Sequence, residues 1–348
     1  MALISAHWAN RGHYVSVITL SSRADDFHRL DSRVRRVPLA LMIESRSLVE
    51  GVYRNLRRIT ILRHCMRSIA PDVVISFNAE LNVITLLASL GLRVPVIVSE
   101  RIHPPAHDIG LVWRLLRRAT YRLADAVVVQ SEATRAWARS LVPDQRIHVI
   151  PNAVSDVFSA PEETVTHGRK PVVLAVGRLV GQKGFDVLIR AFGAVAQRHP
   201  MWYLTIVGQG PDEAALKRLA RDVLPPNTVS FLGNVDDLTP HYRAAGLFVL
   251  SSRFEGFPNA LLEAMASGCA VVATNCPAGP SEIVRAGFDG VLVPPDDVDA
   301  LAGVMDHLLG DTAARERLGA HAREVATRFG VHRVGALWDE VVARVQLV

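Results

Sequence analysis

The stretch that decides the fold is S251-S-R-F-E-G-F-P-N-A-L-L-E-A-M-A-S-G268. Pro258 has no backbone N–H and therefore favours the first turn of a helix, and the strong helix formers that follow predict a helix ended by Gly268. Apolar strand patterns flank this helix, G246-L-F-V-L-S251 before it and C269-A-V-V-A-T274 after it. This order is typical of a parallel α/β sheet, which binds ligands beyond the carboxyl ends of its strands.

Two glutamates of this stretch lie where a ligand would meet them. Glu255 is predicted in the loop that enters the helix, and Glu263 inside the helix. Amides at a helix start bind anions, and carboxylates accept hydrogen bonds from hydroxyl groups. A nucleotide-sugar, with a diphosphate between a ribose and a sugar, fits this layout. The donor-binding candidates at the helix start are Gly256, Phe257, Pro258 and Asn259. The alternative is two solvated glutamates, since this spacing also occurs in many unrelated proteins.

A second candidate loop, G177-R-L-V-G-Q-K-G-F-D186, follows the apolar run at 172–176. Gly177 and its neighbouring glycines allow a tight loop, and Arg178 and Lys183 supply positive charge. Arginine can bind phosphate oxygens with two hydrogen bonds, and lysine acts as a point charge. The alternative is a mobile basic loop on the surface.

Two shorter glycine motifs follow later strands. Gly208 and Gly210 in V207-G-Q-G would let a nucleotide lie close to the backbone, and Gly233 in F231-L-G-N234 lies at another strand end. A lone G-x-G is weak evidence, and neither motif identifies a base.

Short apolar runs alternate with helical patterns along the whole chain, which predicts parallel β-α-β units. Strands are predicted at 13–20, 73–77, 95–99, 126–130 and 147–150 in the first half, and at 172–176, 203–207, 229–231, 247–250, 270–273 and 291–293 in the second. The fold class is therefore α/β, with two Rossmann-like domains that face each other across a cleft. The predicted divisions are a first domain at 1–152, a linker at 153–170, a second domain at 171–330, and a C-terminal helix at 331–348 that can pack back on the first domain.

The start of the chain departs from this plan. A Rossmann domain opens with a strand and a glycine-rich turn, whereas A2-L-I-S-A-H-W-A-N-R-G12 is predicted as a helix. We hypothesise a truncated N-terminus, from a start site chosen too far downstream or from a shortened chain. The loss of a strand would leave backbone groups unpaired.

The first domain is expected to bind the acceptor. Its candidates follow the predicted strand at 95–99, where Glu100, Arg101 and His103 could position a hydroxyl group or neutralise phosphates. The alternative for His103, which precedes two prolines, is an ordinary loop residue.

Charge is uneven along the chain. Residues 1–150 contain 21 arginines, no lysine and 12 acidic residues, a net charge of +9, whereas the whole chain has +5. No aromatic-rich motif or zinc spacing accompanies the arginines, so nucleic acid is not expected as a partner. An anionic membrane surface fits better, because Leu56, Ile59, Leu62, Met66 and Ile69 recur at helical spacing among arginines, as in an interfacial helix. The alternative is an ordinary amphipathic helix packed on the sheet.

Other features limit the function. No apolar run reaches the ~18 residues of a membrane span, and the N-terminus lacks a signal-peptide pattern, so a cytoplasmic or peripheral location is expected. Three cysteines show no metal-like spacing. Asp236-Asp237 and Asp296-Asp297 are not at suitable strand ends, so no essential metal and no cofactor are expected.

The motif F254-E-G-F-P-N-A-L-L-E-A-M-A, with C276-P-A-G-P-S-E-I-V284, resembles the signature of glycosyltransferase family 4. The resemblance runs from about Trp8 to the C-terminus and implies the GT-B fold and a retaining reaction, closest to enzymes of lipid-linked bacterial glycans. It implies that Arg178 and Lys183 stabilise the departing diphosphate, that Glu255 holds the donor sugar, and that Glu263 holds the ribose. It also favours UDP.

The sequence therefore predicts a hexosyl- or N-acetylhexosaminyl-transferase that uses a nucleotide-sugar and a glycan acceptor, lipid-linked, at the inner face of the membrane. Two alternatives stay open. One is a sugar-nucleotide epimerase of the same fold, which needs no acceptor. The other is a non-catalytic nucleotide-binding protein that docks on a membrane.

Overall fold

The computed structural model describes four stretches of the chain, residues 1–22, 30–42, 47–159 and 168–347. They form two compact units, Met1–Ala153 with Val331–Val348, and Val154–Gly330. The predicted linker at 153–170 lies in part outside the described residues.

Twelve short strands lie in the described stretches. They are β1 (Ser16–Thr19), β2 (Arg35–Pro38), β3 (Val74–Phe77), β4 (Val96–Ser99), β5 (Ala126–Val129), β6 (Ile147–Val149), β7 (Lys170–Val176), β8 (Tyr203–Val207), β9 (Val229–Phe231), β10 (Ala245–Leu250), β11 (Val271–Thr274) and β12 (Val291–Val293). Eleven fall where apolar runs predict them. The exception is β2, because R35-R-V-P38 has no apolar run to mark it.

The same stretches contain fourteen α-helices. They are α1 (Ala2–Asn10), α2 (Leu48–Ile69), α3 (Ala79–Ser89), α4 (Gly110–Thr120), α5 (Glu132–Ala138), α6 (Phe185–Ala196), α7 (Glu213–Val223), α8 (Thr239–Ala244), α9 (Asn259–Ala266), α10 (Pro280–Ile283), α11 (Val298–Gly310), α12 (Thr312–Ala322), α13 (Val325–Phe329) and α14 (Val331–Gln346).

The second unit is built on one parallel sheet with the strand order β12-β11-β10-β7-β8-β9. The chain runs outward from β7 to β9, returns to place β10 beside β7, and runs outward again to β12. The neighbours β7 and β10 therefore form the topological switch point, where open α/β sheets bind ligands.

Both faces of this sheet are covered. Val173 and Leu174, successive residues of β7, pack into different apolar clusters because neighbouring side chains of a strand point to opposite faces. Helices α6 and α11 contribute to one cluster and α9 to the other. This double cover explains why the strands are continuous apolar runs.

The first unit has its strands in two parallel sheets. One contains β1 and β2, and the other has the order β3-β4-β5-β6. Among the described residues, β1 pairs only with β2 and β3 pairs only with β4. The hypothesis that a strand is missing stays a prediction.

The last helix, α14, belongs to the first unit. Its Trp338 is buried, and the ring lies 6.2 Å from Trp8 of α1 and 5.9 Å from Phe77 of β3, between centroids. Trp8 Nε1 also donates a hydrogen bond of 2.8 Å to Asp339. Residue 348 lies outside the described residues.

The apolar stripe predicted on α2 is mainly a packing face. Leu62 and Met66 are buried against Ile84 and Ala88 of α3. Leu56, at the N-terminal end of the same stripe, is 58% exposed, so the alternative of a packed helix describes only the part around Leu62 and Met66, and the membrane contact of α2 stays a prediction. No helix within the described stretches is long and apolar enough to cross a membrane.

Candidate functional site

The two predicted donor loops lie side by side in the second unit. Val173 of β7 is paired with Leu247 of β10 in parallel register. The loops that follow these strands, residues 177–184 (the β7 loop) and residues 251–258 (the β10 loop), therefore leave the sheet as neighbours at the switch point.

A buried ion pair joins the two loops. Lys183 Nζ lies 2.6 Å from Glu255 Oε1, and Ser252 Oγ donates to the same oxygen at 2.6 Å. Glu255 is only 5% exposed, and its carboxylate is held by both donors. The site thus places a cation and a hydrogen-bond acceptor at one point, which can bind a phosphate and a hydroxyl group respectively.

Further bonds around Arg253 hold the loops in register. Its guanidinium donates to both oxygens of Asp186, at 3.0 and 2.8 Å, and to the carbonyl of Gly181, and it pairs with Asp296 at 2.7 Å. The guanidinium lowers the pKa of Asp186, although burial of that carboxyl opposes the shift. Gln182 also donates to the carbonyl of Phe254 at 2.9 Å.

Arg178 differs from Lys183 in its surroundings. Its side chain is exposed and forms no hydrogen bond or ion pair within the described residues. An exposed guanidinium in the same loop as Lys183 can approach an anion without breaking another contact.

Two glycines of the site are explained by backbone packing. A Cβ at Gly208 would lie 2.0 Å from the carbonyl oxygen of Gly177, and one at Gly210 would lie 2.3 Å from that of Leu179. These two glycines therefore bring loops close to one another, which is a reason independent of a ligand. Gly177 differs, because a Cβ there would make only an ordinary contact, at 3.4 Å, with the flexible Lys183 side chain. Gly233 has a φ of +68°, which favours glycine.

The start of α9 is fixed by apolar packing. Phe257 is buried, and its ring lies 5.3 Å from Phe329. Pro258 caps the helix in an extended conformation, and Asn259 is its first residue. A Cβ at Gly279 would lie 2.8 Å from the carbonyl oxygen of Gly256, so the loop before α10 is in close contact with the β10 loop.

Glu263, on α9, has a buried partner. Tyr242 is fully buried, and its hydroxyl donates to Glu263 Oε2 at 2.9 Å. Burial raises the pKa of Glu263, and the hydrogen bond from Tyr242 opposes that shift. The contact fixes one carboxylate oxygen and leaves the other to accept from a further hydroxyl.

The candidate acceptor residues lie in the first unit, after β4. Glu100 is buried and accepts from the Tyr121 hydroxyl, with Arg117 at 3.6 Å. Burial raises the pKa of Glu100. These contacts account for Glu100 without a ligand.

Arg101 and His103 have different surroundings from those of Glu100. Arg101 donates to Asn152 and lies 5.2 Å from the Phe77 ring centroid, and burial lowers its pKa to about 10. His103 Nδ1 is buried, has no partner in the described part of the chain, and burial lowers the pKa of the ring. A neutral imidazole with an unused nitrogen can accept a proton.

No group of three potential metal ligands occurs among the residues that the structure describes. Three of the four aspartates considered above have other contacts. Asp237 accepts from the Thr239 amide, Asp296 pairs with Arg253, and Asp297 accepts from the Ala300 amide at the start of α11.

Three contributors are absent from the sequence prediction, namely Ser252, Arg253 and Tyr242. The first two lie beside Glu255 in S251-S-R-F-E255, but their partners are more than twenty residues away or depend on the loop conformation. Tyr242 lies in α8, a helix that the sequence did not predict. A polar residue next to a predicted site residue is the only signal that could have drawn attention to Arg253.

Both units are built on parallel α/β sheets, and the second has a lysine–carboxylate pair at its switch point, an arrangement consistent with the GT-B class of glycosyltransferases. Family comparisons agree, since residues 1–153 match the description "Glycosyl transferase 4-like domain" and residues 157–325 match "Glycosyl transferases group 1". A GDP-mannose-dependent phosphatidylinositol monomannoside mannosyltransferase of Mycolicibacterium smegmatis is 32% identical over 69% of this chain and 69% of its own. The chain belongs to glycosyltransferase family 4.

Other relatives extend the similarity. An N-acetylgalactosaminyltransferase of Campylobacter jejuni, whose name specifies an undecaprenol diphosphate-linked glycan, is 25% identical over 96% of this chain and 91% of its own. An exopolysaccharide phosphotransferase of Streptomyces coelicolor is 34% identical over 80% of this chain, which spans only 29% of that protein. The solved structure of Anabaena HepE with UDP and glucose has a TM-score of 0.80 at 18% identity, covering 98% of this chain and 94% of its own, and so shares the fold.

Proposed function

We propose that this glycosyltransferase transfers a sugar, with retention of configuration, from a UDP-sugar to a hydroxyl group of a lipid-linked glycan. The observation that carries the proposal is the Lys183–Glu255 pair at the switch point of the second unit. Solved relatives in complex with UDP support the donor, and the mycobacterial relative, named for GDP-mannose, makes GDP the competing base.

When the donor binds, Lys183 and Glu255 separate and contact different parts of it. The diphosphate binds Lys183 and the exposed Arg178, which stabilise its charge as it leaves. Glu255 then accepts from the donor sugar, while Ser252 keeps it in place. Glu263 accepts from the ribose with the oxygen that Tyr242 does not occupy.

The acceptor proposal rests on relatives. The Campylobacter and Mycolicibacterium relatives carry lipid acceptors in their names. Arg101 and His103 are proposed to face the acceptor, the first beside its phosphate and the second as a proton acceptor. We further propose catalysis without a metal or cofactor at the inner face of the membrane, which predicts full activity in excess EDTA.

The first test is calorimetric titration of UDP and GDP into the full chain and into Lys183→Ala. Loss of one charge-assisted contact should weaken binding of the preferred nucleotide by about 1.5–3 kcal/mol, roughly ten- to a hundredfold. Lys170→Ala is the control, because Lys170 is exposed and is the first residue of β7, at the opposite end of the strand from the β7 loop. Equal loss in both variants, or no binding of either nucleotide to folded protein, would contradict the proposal.

A second assay separates transfer from the alternatives. Product that forms only when a lipid-linked glycan is present supports a transferase. Release of UDP and an altered sugar without any acceptor would indicate an epimerase, and nucleotide binding without turnover a non-catalytic protein.

A further inference from the structure

Helix α4 has an exposed apolar face that the fold does not use. Leu111, Val112 and Leu115 are 62%, 65% and 59% exposed. They lie on adjacent positions of one helical face, since residues four apart are neighbours on a helix surface. The contiguous patch of these three side chains is the α4 patch.

The opposite face of α4 accounts for its packing. Trp113 and Leu116 contact the core of the first unit, and Arg117 is buried, 4.6 Å from the Trp137 ring. The helix is therefore held in place by its opposite face, and the α4 patch is not needed for packing against the described residues.

Two arginines lie on α4 close to the patch, Arg114 and Arg118, and a third, Arg122, lies on the 3-10 turn that follows the helix. Arg114, Arg118 and Arg122 are exposed, and none of them forms an ion pair within the described stretches. The only acidic residue between 101 and 124 is Asp108, which accepts from the Gly110 amide at the start of the helix. Unpaired arginines next to exposed apolar side chains are complementary to an anionic lipid surface, with headgroups for the first and acyl chains for the second.

The position of α4 fits this partner. The chain runs from the end of β4 through Arg101 and His103, then through a 3-10 turn at Pro104–Ala106, into α4. A helix that lies in the membrane interface would hold these residues near the headgroups of a lipid-linked acceptor.

We propose that the α4 patch and its three arginines dock this glycosyltransferase on an anionic membrane. The purpose of the contact rests on the proposed lipid-linked acceptor, but docking itself requires neither donor nor acceptor. The proposal also differs from the sequence prediction, which placed the membrane contact on α2.

The test is flotation of the full chain with vesicles of phosphatidylcholine alone or with phosphatidylglycerol. We expect binding to the anionic vesicles that weakens at high salt. The triple variant Leu111→Ser, Val112→Ser, Leu115→Ser should bind at least tenfold more weakly, about the loss expected from burying less apolar surface. Arg114→Gln, Arg118→Gln, Arg122→Gln should lose roughly a hundredfold, at ~1 kcal/mol for each arginine.

A matched control comes from α2. Val49, Val52 and Leu56 are 81%, 62% and 58% exposed, so changing all three to serine removes similar apolar surface from another helix of the same unit. This variant should retain binding to the anionic vesicles. Equal loss in the α2 control, or no binding by the unchanged protein, overturns the proposal.

Two further measurements complete the test. Chromatography that shows a dimer lost in the α4 variants would overturn the proposal in favour of a second copy of the chain. Nucleotide titration of each variant reports folding of the second unit. If the unchanged protein binds vesicles but no nucleotide, the donor proposal fails and the docking proposal stands.

Discussion

At the scale of single residues, the carboxylates of the candidate site already have partners within the protein, which a ligand can replace. Lys183 and Glu255 neutralise each other, and Tyr242 satisfies one oxygen of Glu263. Buried charges are costly unless they are paired and hydrogen-bonded, which explains why each has a partner before any donor arrives.

Glu263 makes this cost measurable through pH. Burial raises its folded-state pKa above the ordinary 4.5, so the folded state binds more protons than the unfolded state in the window above that value. The free energy of unfolding should therefore fall as pH rises through the window. Because Glu263→Gln removes this titration, its melting temperature relative to the unchanged protein should rise as the pH increases above about 4.5.

Asp144→Asn serves as the control for this experiment. Arg135 and Arg139 lower the pKa of Asp144 to about 2, so that group stays ionised throughout the same window. Its melting-temperature difference should be flat there. A flat difference for Glu263→Gln as well would show that this carboxyl is not perturbed by burial.

At the scale of elements, the β7 and β10 loops act as one structure. Gly184 has a φ of +60°, and a Cβ there would lie 2.1 Å from the carbonyl oxygen of Ser251. Gly181, three residues earlier in the same loop, has no atom within 4 Å of an added Cβ. Comparing substitutions at these two glycines therefore distinguishes the effect of close packing between the loops from the effect of loop flexibility.

Gly184→Ala should lower the free energy of unfolding by more than about 2 kcal/mol, because strain and collision add. Gly181→Ala should change it by less than about 1 kcal/mol. Chemical denaturation of both variants checks this. Similar values for the two would mean that the loops do not pack as described.

Arg253 should affect activity more than stability. Its ion pairs are partly exposed, and such pairs contribute about 1 kcal/mol or less to folding. Small displacements of catalytic groups, however, can cost up to about a hundredfold in rate. We expect Arg253→Ala to lower kcat/KM roughly ten- to a hundredfold while the melting temperature changes little.

Arg198→Ala removes a comparable surface pair, to Asp306 at 2.9 Å, from the same unit. That variant should keep its activity. An Arg253→Ala enzyme that loses stability and activity in proportion would point to a structural role only.

The sequence predicted strands better than it predicted contacts between distant residues. Apolar runs identified eleven strands, and ten of these belong to the two larger sheets, whose faces are both covered and demand apolar side chains. Strand β2 was missed because its residues do not show that pattern. The glutamates and the lysine were selected as candidates from their strand–loop–helix setting. The Lys183–Glu255 pair and the contacts of Arg253 and Tyr242 join distant segments, which local patterns do not encode.

At the scale of the whole molecule, each unit has its own core. The first unit is completed by α14, from the far end of the chain, whose Trp338 packs against Trp8 and Phe77. The proposed donor residues all belong to the second unit. Loss of α14 packing should therefore weaken one unit and spare the binding chemistry of the other.

Trp338→Ala tests this division. Removing a buried tryptophan costs about 3–5 kcal/mol, so the first unit should melt earlier while nucleotide affinity at low temperature stays within about twofold. Trp202→Ala, in the core of the second unit, should give the reverse, with a lower melting temperature for the unit that nucleotide stabilises. Scanning calorimetry with and without nucleotide distinguishes the two transitions. If both variants shift a single transition equally, the units unfold together, and the stability of the donor site depends on the C-terminal helix as well.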